Sequence, residues 1–256
     1  MKTHSLPPAA QTCVAGIVFA IGTEADAFEG RARDTTATIA GGLTFQEGTV
    51  AGRRVAWVVS GAGTARASTA CQLLIDGHRP GLVISAGFAG ALDEHLTRGR
   101  VVSPMRASRI DHEPIDLTPA TALALPRELT ILTVDRVVCT AADKQALAAA
   151  TAADLVDMET WGVATVARAA GLACVSVRVV SDGAGEDLPR EMTDLVQPQS
   201  TMRRFGAALR AVSRRPGAAV DMWRLWEQAV VDARTLADAL ERFVGQLPAG
   251  DPVSPP

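Results

Sequence analysis

Residues 173–181, Ala173-Cys174-Val175-Ser176-Val177-Arg178-Val179-Val180-Ser181, form a Val-rich run that ends on Asp182. β-Branched side chains favour extended backbone, and a strand apolar on both faces belongs in the middle of a sheet covered by helices. Upstream, Trp161–Ala170 has helical spacing and is closed by Gly171, where a helix stops. Before it come a short extended segment, Leu155–Met158, and a helical stretch, Ala141–Ala150. Arg100–Pro104 and Thr130–Val138 read as further strands. Toward the N-terminus, Val14–Ile21, Arg54–Ser60 and Gly81–Ala86 have the same β-type character. Thr64–Asp76 is an amphipathic helix between the last two, with Gly77 as its stop. Strands alternating with helices predict a single α/β domain.

The texture changes after Pro189. Met202–Ser213 and Val220–Val244 read as two amphipathic helices separated by Pro216 and Gly217. Arg203, Arg204, Arg210, Arg214 and Arg215 make the junction basic, which reads as a solvated face ahead of an anion or membrane-surface contact. Trp223 and Trp226 are expected in core packing ahead of a ligand or partner surface. The expected organisation is a flexible leader over 1–12, the α/β domain over 13–189, helices packed on it over 190–245, and a disordered tail over 246–256.

Composition narrows the function classes. The chain has 256 residues, a formal net charge of −3 and 4% aromatic residues with no Tyr. That balance argues against a phosphate-neutralising or base-stacking surface, so no nucleic-acid partner is expected. Cys13, Cys71, Cys139 and Cys174 have no CxxC or metal-type spacing and are expected to be buried thiols in a reducing, cytoplasmic setting. Val14–Ile21 is too short for a membrane span, and Pro7 and Pro8 interrupt the segment before it.

Familiar catalytic signatures are absent: there is no GxGxxG, Walker loop, HExxH or GxSxG. Asp111-His112-Glu113 are adjacent residues that do not converge as metal ligands, so neither a metal nor a cofactor is expected. Three stretches stand apart. Ser60-Gly61-Ala62-Gly63 joins a strand to a helix and lets backbone N–H groups approach a ligand. Ser85-Ala86-Gly87-Phe88-Ala89-Gly90-Ala91 is a small-residue segment at the end of a buried strand. Val156-Asp157-Met158-Glu159-Thr160 and Val177–Asp182 place Glu159 at a strand–helix junction and Asp182 at the carboxyl end of a central strand, where α/β sheets bind ligands.

Together these residues resemble the nucleoside phosphorylase and nucleosidase superfamily, which includes purine nucleoside phosphorylases and methylthioadenosine/S-adenosylhomocysteine nucleosidases. The likeness runs from about Ala15 to Leu188. Thr140-Ala141-Ala142-Asp143-Lys144, Val156–Glu159, and Arg215-Pro216 before a long final helix are closest to its hopanoid-associated phosphorylase branch. The resemblance implies a three-layer α/β sandwich around a twisted mixed sheet, with two extra C-terminal helices, assembled as a homo-oligomer. It also implies a small-molecule nucleoside as partner, with or without phosphate. Glu159 would bind the ribose hydroxyls over Met158. Asp182, beside Ser181, would protonate the purine at N7. Gly61, Gly63, Gly87 and Phe88 would approach the substrate, and Arg178 would either support the site or touch the ligand.

The chemistry suits those roles. Glycosidic cleavage builds positive charge on the sugar and negative charge on the base, which a carboxylate and an acid respectively stabilise. A free Asp has a pKa of about 3.9, so Asp182 needs a dry site to carry a proton near neutrality. The nucleophile stays open. Bacterial purine phosphorylases flank the central glycine segment with an arginine and a serine; here those places hold Ser85 and Phe88, leaving Arg66, Arg178 or a partner subunit to substitute. Nucleosidases carry a glutamate just after the first strand, and Gly22-Thr23-Glu24 offers one, with Ala25 in that place on the neighbouring register. The alternative to an enzyme is a nucleoside-binding or sensing protein of the same fold.

Overall fold

In the computed structural model, which describes residues 13–120, 128–189 and 218–248, the Val-rich run is strand β11 (Ala173–Asp182), buried from Cys174 to Val180. It lies parallel to β5 (Leu82–Ala91), with Ala173 opposite Leu82 and Asp182 opposite Gly90. On the other side of β5, β1 (Ala15–Phe19) pairs in parallel with Val83–Ser85, and β10 (Leu155–Asp157) pairs antiparallel at Gly90 and Ala91. From β1 the sheet continues through β4 (Arg53–Val59) to β3 (Leu43–Val50) and β2 (Arg33–Ala40). From β10 it continues through β9 (Thr130–Thr133) to β7 (Arg106–Ser108) and β8 (Ile115–Asp116), while β6 (Val101–Val102) borders β11. Parallel and antiparallel pairs coexist, so the sheet is mixed.

Helices cover both faces. Val18 and Val83 pack with Ala70 and Leu74 of α2 (Thr64–His78) and with Val163 and Ala167 of α4 (Thr160–Ala169). Their strand neighbours Ile17, Phe19 and Ile84 face the opposite way, onto Phe28 of α1 (Gly22–Glu29) and Leu236, Leu240 and Phe243 of α5 (Ala218–Gln246). Successive strand residues point to opposite faces, so two-sided burial requires continuous apolar runs. This is the expected three-layer α/β sandwich. A further helix, α3 (Ala141–Thr151), contributes Leu147 to a smaller cluster with Leu132, Val138 and Val156.

Several boundaries differ from the sequence reading. β5 extends past Ala86 to Ala91 because β11 and β10 supply it with ladder partners along the small-residue segment. α2 passes Gly77 and ends at His78, where Arg79 takes the left-handed cap (φ 43°) and donates its N–H to Ile75 O. The extended Thr130–Val138 segment keeps strand pairing only to Thr133. The hairpin of β2 and β3 has no counterpart in the sequence reading, since β2 is exposed along its whole length and shows no apolar alternation.

Of the two expected C-terminal helices, the second is α5; the first, Met202–Ser213, lies outside the described residues, as do the leader and the tail from residue 249. Among the described residues no helix is long and apolar enough to cross a membrane. The four cysteines are buried thiols, and burial pushes those of Cys71 and Cys174 up to about 12.

Candidate active site

The carboxyl ends of β1, β5, β9, β10 and β11 meet at a cavity of about 230 Å³. Ligands bind at such ends in α/β sheets because the strands stop there and the loops diverge. Six of the residues singled out from sequence line it: Glu24, Phe88, Met158, Glu159, Ser181 and Asp182. Gly61, Gly63, Gly87 and Arg178 stand behind the wall.

Glu24 sits in the first turn of α1, 4% exposed. Its Oε2 accepts the N–H groups of Ala20 and Ile21, at 2.9 and 3.1 Å, and its Oε1 accepts that of Phe88 at 2.9 Å. It therefore caps its own helix and also reaches across to β5. A Cβ on Gly87 would lie 2.6 Å from Glu24 Oε1, so the carboxylate rests on bare backbone. Burial raises the Glu24 pKa, and the Phe88, Ile21 and Ala20 N–H groups and Arg178 oppose the rise. Ala25, which the neighbouring register puts in this place, is buried in the core with Phe28.

Glu159 is the residue before α4. Gly63 donates its N–H to Oε1 at 2.7 Å, so the glycine turn before α2 holds the carboxylate. Burial pushes the Glu159 pKa up to about 8, with the charges of Asp157 and Glu24 adding to it and the Gly63 N–H and Arg178 opposing. Gly61 has a left-handed φ of +80° and lies under the Arg66 side chain, outside the cavity wall.

Asp182, 4% exposed at the end of β11, accepts the Ser181 hydroxyl on Oδ1 at 2.6 Å and pairs through Oδ2 with Lys144 Nζ at 2.6 Å. Arg178 is 2% exposed and turned into the protein. Its Nη2 donates to Asp157 Oδ2 at 2.8 Å, Ser85 Oγ at 2.7 Å and Thr160 Oγ1 at 2.7 Å. Of the two roles open to it, this geometry gives support. Asp157 also accepts the Thr160 N–H and hydroxyl and the Thr133 hydroxyl. Arg178 thereby fixes the β10–α4 junction on which Met158 and Glu159 stand.

Sequence reasoning gave no role to Asp157, Lys144, Arg98 or Asp232. Arg98 and Asp232 line the cavity and pair at 2.7 Å, bringing α5 to the site. Burial raises the Asp232 pKa, Arg98 opposes the rise, and the nearby Asp182 charge adds to it. Lys144 did carry a signal: a lysine one helical turn from the packed Leu147 points toward the core rather than to solvent.

The sequence pattern of the phosphorylase superfamily matches residues 14–113 and 117–215. A 5′-methylthioadenosine/S-adenosylhomocysteine nucleosidase of Pseudoalteromonas translucida is 40% identical over 77 residues, 30% of this chain and 32% of that protein. The match thus spans about a third of the curated relative's length. Among solved structures, a Helicobacter pylori MTAN mutant with 5′-methylthioadenosine in the active site has a TM-score of 0.71 at 19% identity, covering 92% of this chain and 99% of that one. The futalosine hydrolase of Helicobacter pylori has a TM-score of 0.70 at 19% identity with the same coverage. At that identity the likeness is one of fold.

Proposed function

The chain belongs to the phosphorylase superfamily, and from that premise we propose that it cleaves the N-glycosidic bond of a purine nucleoside with water as the nucleophile. Glu24 orients the water and takes its proton as oxygen adds to C1′. Glu159 accepts hydrogen bonds from the ribose hydroxyls, with Met158 packed beneath the ring. Asp182 delivers a proton to N7, so the base leaves neutral. Burial raises the Glu24 pKa, which suits this carboxylate to take a proton near neutrality.

The observation that carries the choice of water is the position of the Glu24 carboxylate. It takes the N–H groups of Ala20, Ile21 and Phe88, the donors that could otherwise cradle an anion at the glycine segment. A phosphate there would meet a negative charge instead. Ser85, which stands in one of the places where the bacterial phosphorylases carry a phosphate ligand, is 1% exposed and accepts a hydrogen bond from Arg178. Arg66 is exposed to solvent and lies outside the cavity wall.

An adenine nucleoside with an apolar 5′ substituent is the proposed substrate class. The Pseudoalteromonas translucida relative is a 5′-methylthioadenosine/S-adenosylhomocysteine nucleosidase, and Ile21, Val134, Val138 and Leu188 contribute apolar lining to this cavity.

The test is base release from adenosine and 5′-methylthioadenosine, with and without phosphate, identifying the sugar product. Free ribose or methylthioribose without phosphate is the expected result. Sugar 1-phosphate formed only with phosphate would overturn the hydrolytic reading and restore that of the hopanoid-associated branch. Tight nucleoside binding with no release would make the chain a binding protein.

A further inference from the structure

Lys144 is fully buried on α3, 0% exposed. An unpaired ammonium there would cost several kcal/mol, so its partners define its place. Nζ has three N–H groups and three acceptors: Asp182 Oδ2 at 2.6 Å, Gly183 O at 2.7 Å and Glu186 O at 2.8 Å. The backbone around it is tied down. Thr140 caps α3 by accepting the Asp143 N–H, Ala141 N–H donates to Asp187 Oδ1 at 2.7 Å, and Leu188 N–H donates to Cys139 O at 2.7 Å.

We propose that Lys144 is the positioning residue of the leaving-group acid: it holds Asp182 and the 183–186 turn in place and supplies, through the Asp182 carboxyl, the proton that departs with the base. The inference rests on the nucleosidase reading of the site. As the C1′–N bond breaks, its electron pair passes to the base. Nζ passes a proton to the Asp182 carboxylate of the ion pair, and the carboxyl so formed passes it to N7. Lys144 ends neutral and regains its proton from solvent after the base leaves; the proton of the attacking water goes to Glu24. Among the described residues, the other charged groups around the pair include Asp232 and Arg98 on the α5 side, Glu186 and Asp187 in and after the turn, Asp143 on α3 with its partner Arg136, and Glu159 across the cavity.

The test compares wild type with Lys144→Met and with Lys144→Gln, which keeps a donor at the site and places a smaller demand on folding. Two substrates are used: 5′-methylthioadenosine, and 4-nitrophenyl ribofuranoside, whose leaving group departs as a stable anion. Thermal unfolding and nucleoside binding are followed alongside. With the nucleoside, kcat is expected to fall about 100-fold. The pH profile of kcat is expected to change, because the relay then lacks the lysine proton. Turnover of the nitrophenyl substrate is expected to stay within about threefold of wild type, since a stable anion needs no leaving-group acid. Equal losses on both substrates, or an unmoved pH profile, would reduce Lys144 to a structural pair and overturn the proposal. A wild type that releases no base from either nucleoside fails at a different point, overturning the nucleosidase reading beneath it.

Discussion

At the scale of single residues, Glu24 illustrates how one carboxylate serves both fold and chemistry. Its N–H partners belong to the end of β1 and to β5, so the contact that caps α1 also pins the acid in the cavity. Glu24→Gln keeps an acceptor oxygen but cannot take a proton. Base release is expected to fall by about 10²–10⁴-fold while the nucleoside Kd changes less than about tenfold, measured by single-turnover release and by calorimetry. Arg178 and Asp157 form a buried pair whose charges have no recourse to water. Arg178→Met would leave Asp157 buried and unpaired, and stability is expected to fall by about 3–5 kcal/mol in urea unfolding. Glu159 and Asp182 were legible in sequence because they sit in short motifs at strand ends. Lys144 and Asp232 were not assigned, because each acts on a group supplied by a different element, and which elements meet is not written locally.

Between elements, close packing depends on missing side chains. A Cβ on Gly162 of α4 would lie 2.8 Å from the backbone oxygen of Thr64 and 2.7 Å from Ser68 Oγ, so α2 and α4 approach through a bare backbone. Alanine is the better helix former by about 1 kcal/mol, yet overpacking against a fixed carbonyl costs about 1–3 kcal/mol. Gly162→Ala is therefore expected to lower the Tm by about 2–4 °C in calorimetry, against the direction of helix propensity. The β2–β3 hairpin makes the complementary point. Gly41 and Gly42 have φ of 58° and 77°, the two left-handed residues of a tight hairpin turn. That Gly-Gly pair was the available signal, but the Thr-rich, fully exposed β2 lacks the alternation that marks a half-buried strand.

For the whole molecule, the carboxylates buried in the cavity leave a pH signature. Burial holds the Glu159 pKa near 8, well above its ordinary 4.5, and shifts Glu24 in the same direction. Between those pH values the folded state binds more protons than the unfolded chain, so stability declines as pH rises from about 4.5 toward 8. Urea unfolding across that range is expected to show a shallower decline in Glu159→Gln than in wild type; parallel curves would mean that Glu159 ionises at its ordinary pKa. By itself the sequence determined the α/β class, the central strand, and the order in which Glu24, Glu159 and Asp182 occur, because burial on both faces and chain direction leave local patterns. Only the tertiary structure decided which donors hold Glu24, that Arg178 turns inward to Asp157, and that Lys144 lies against Asp182. Hydrogen bonds and ion pairs between distant elements follow from how those elements pack, and residue spacing along the chain does not encode that packing.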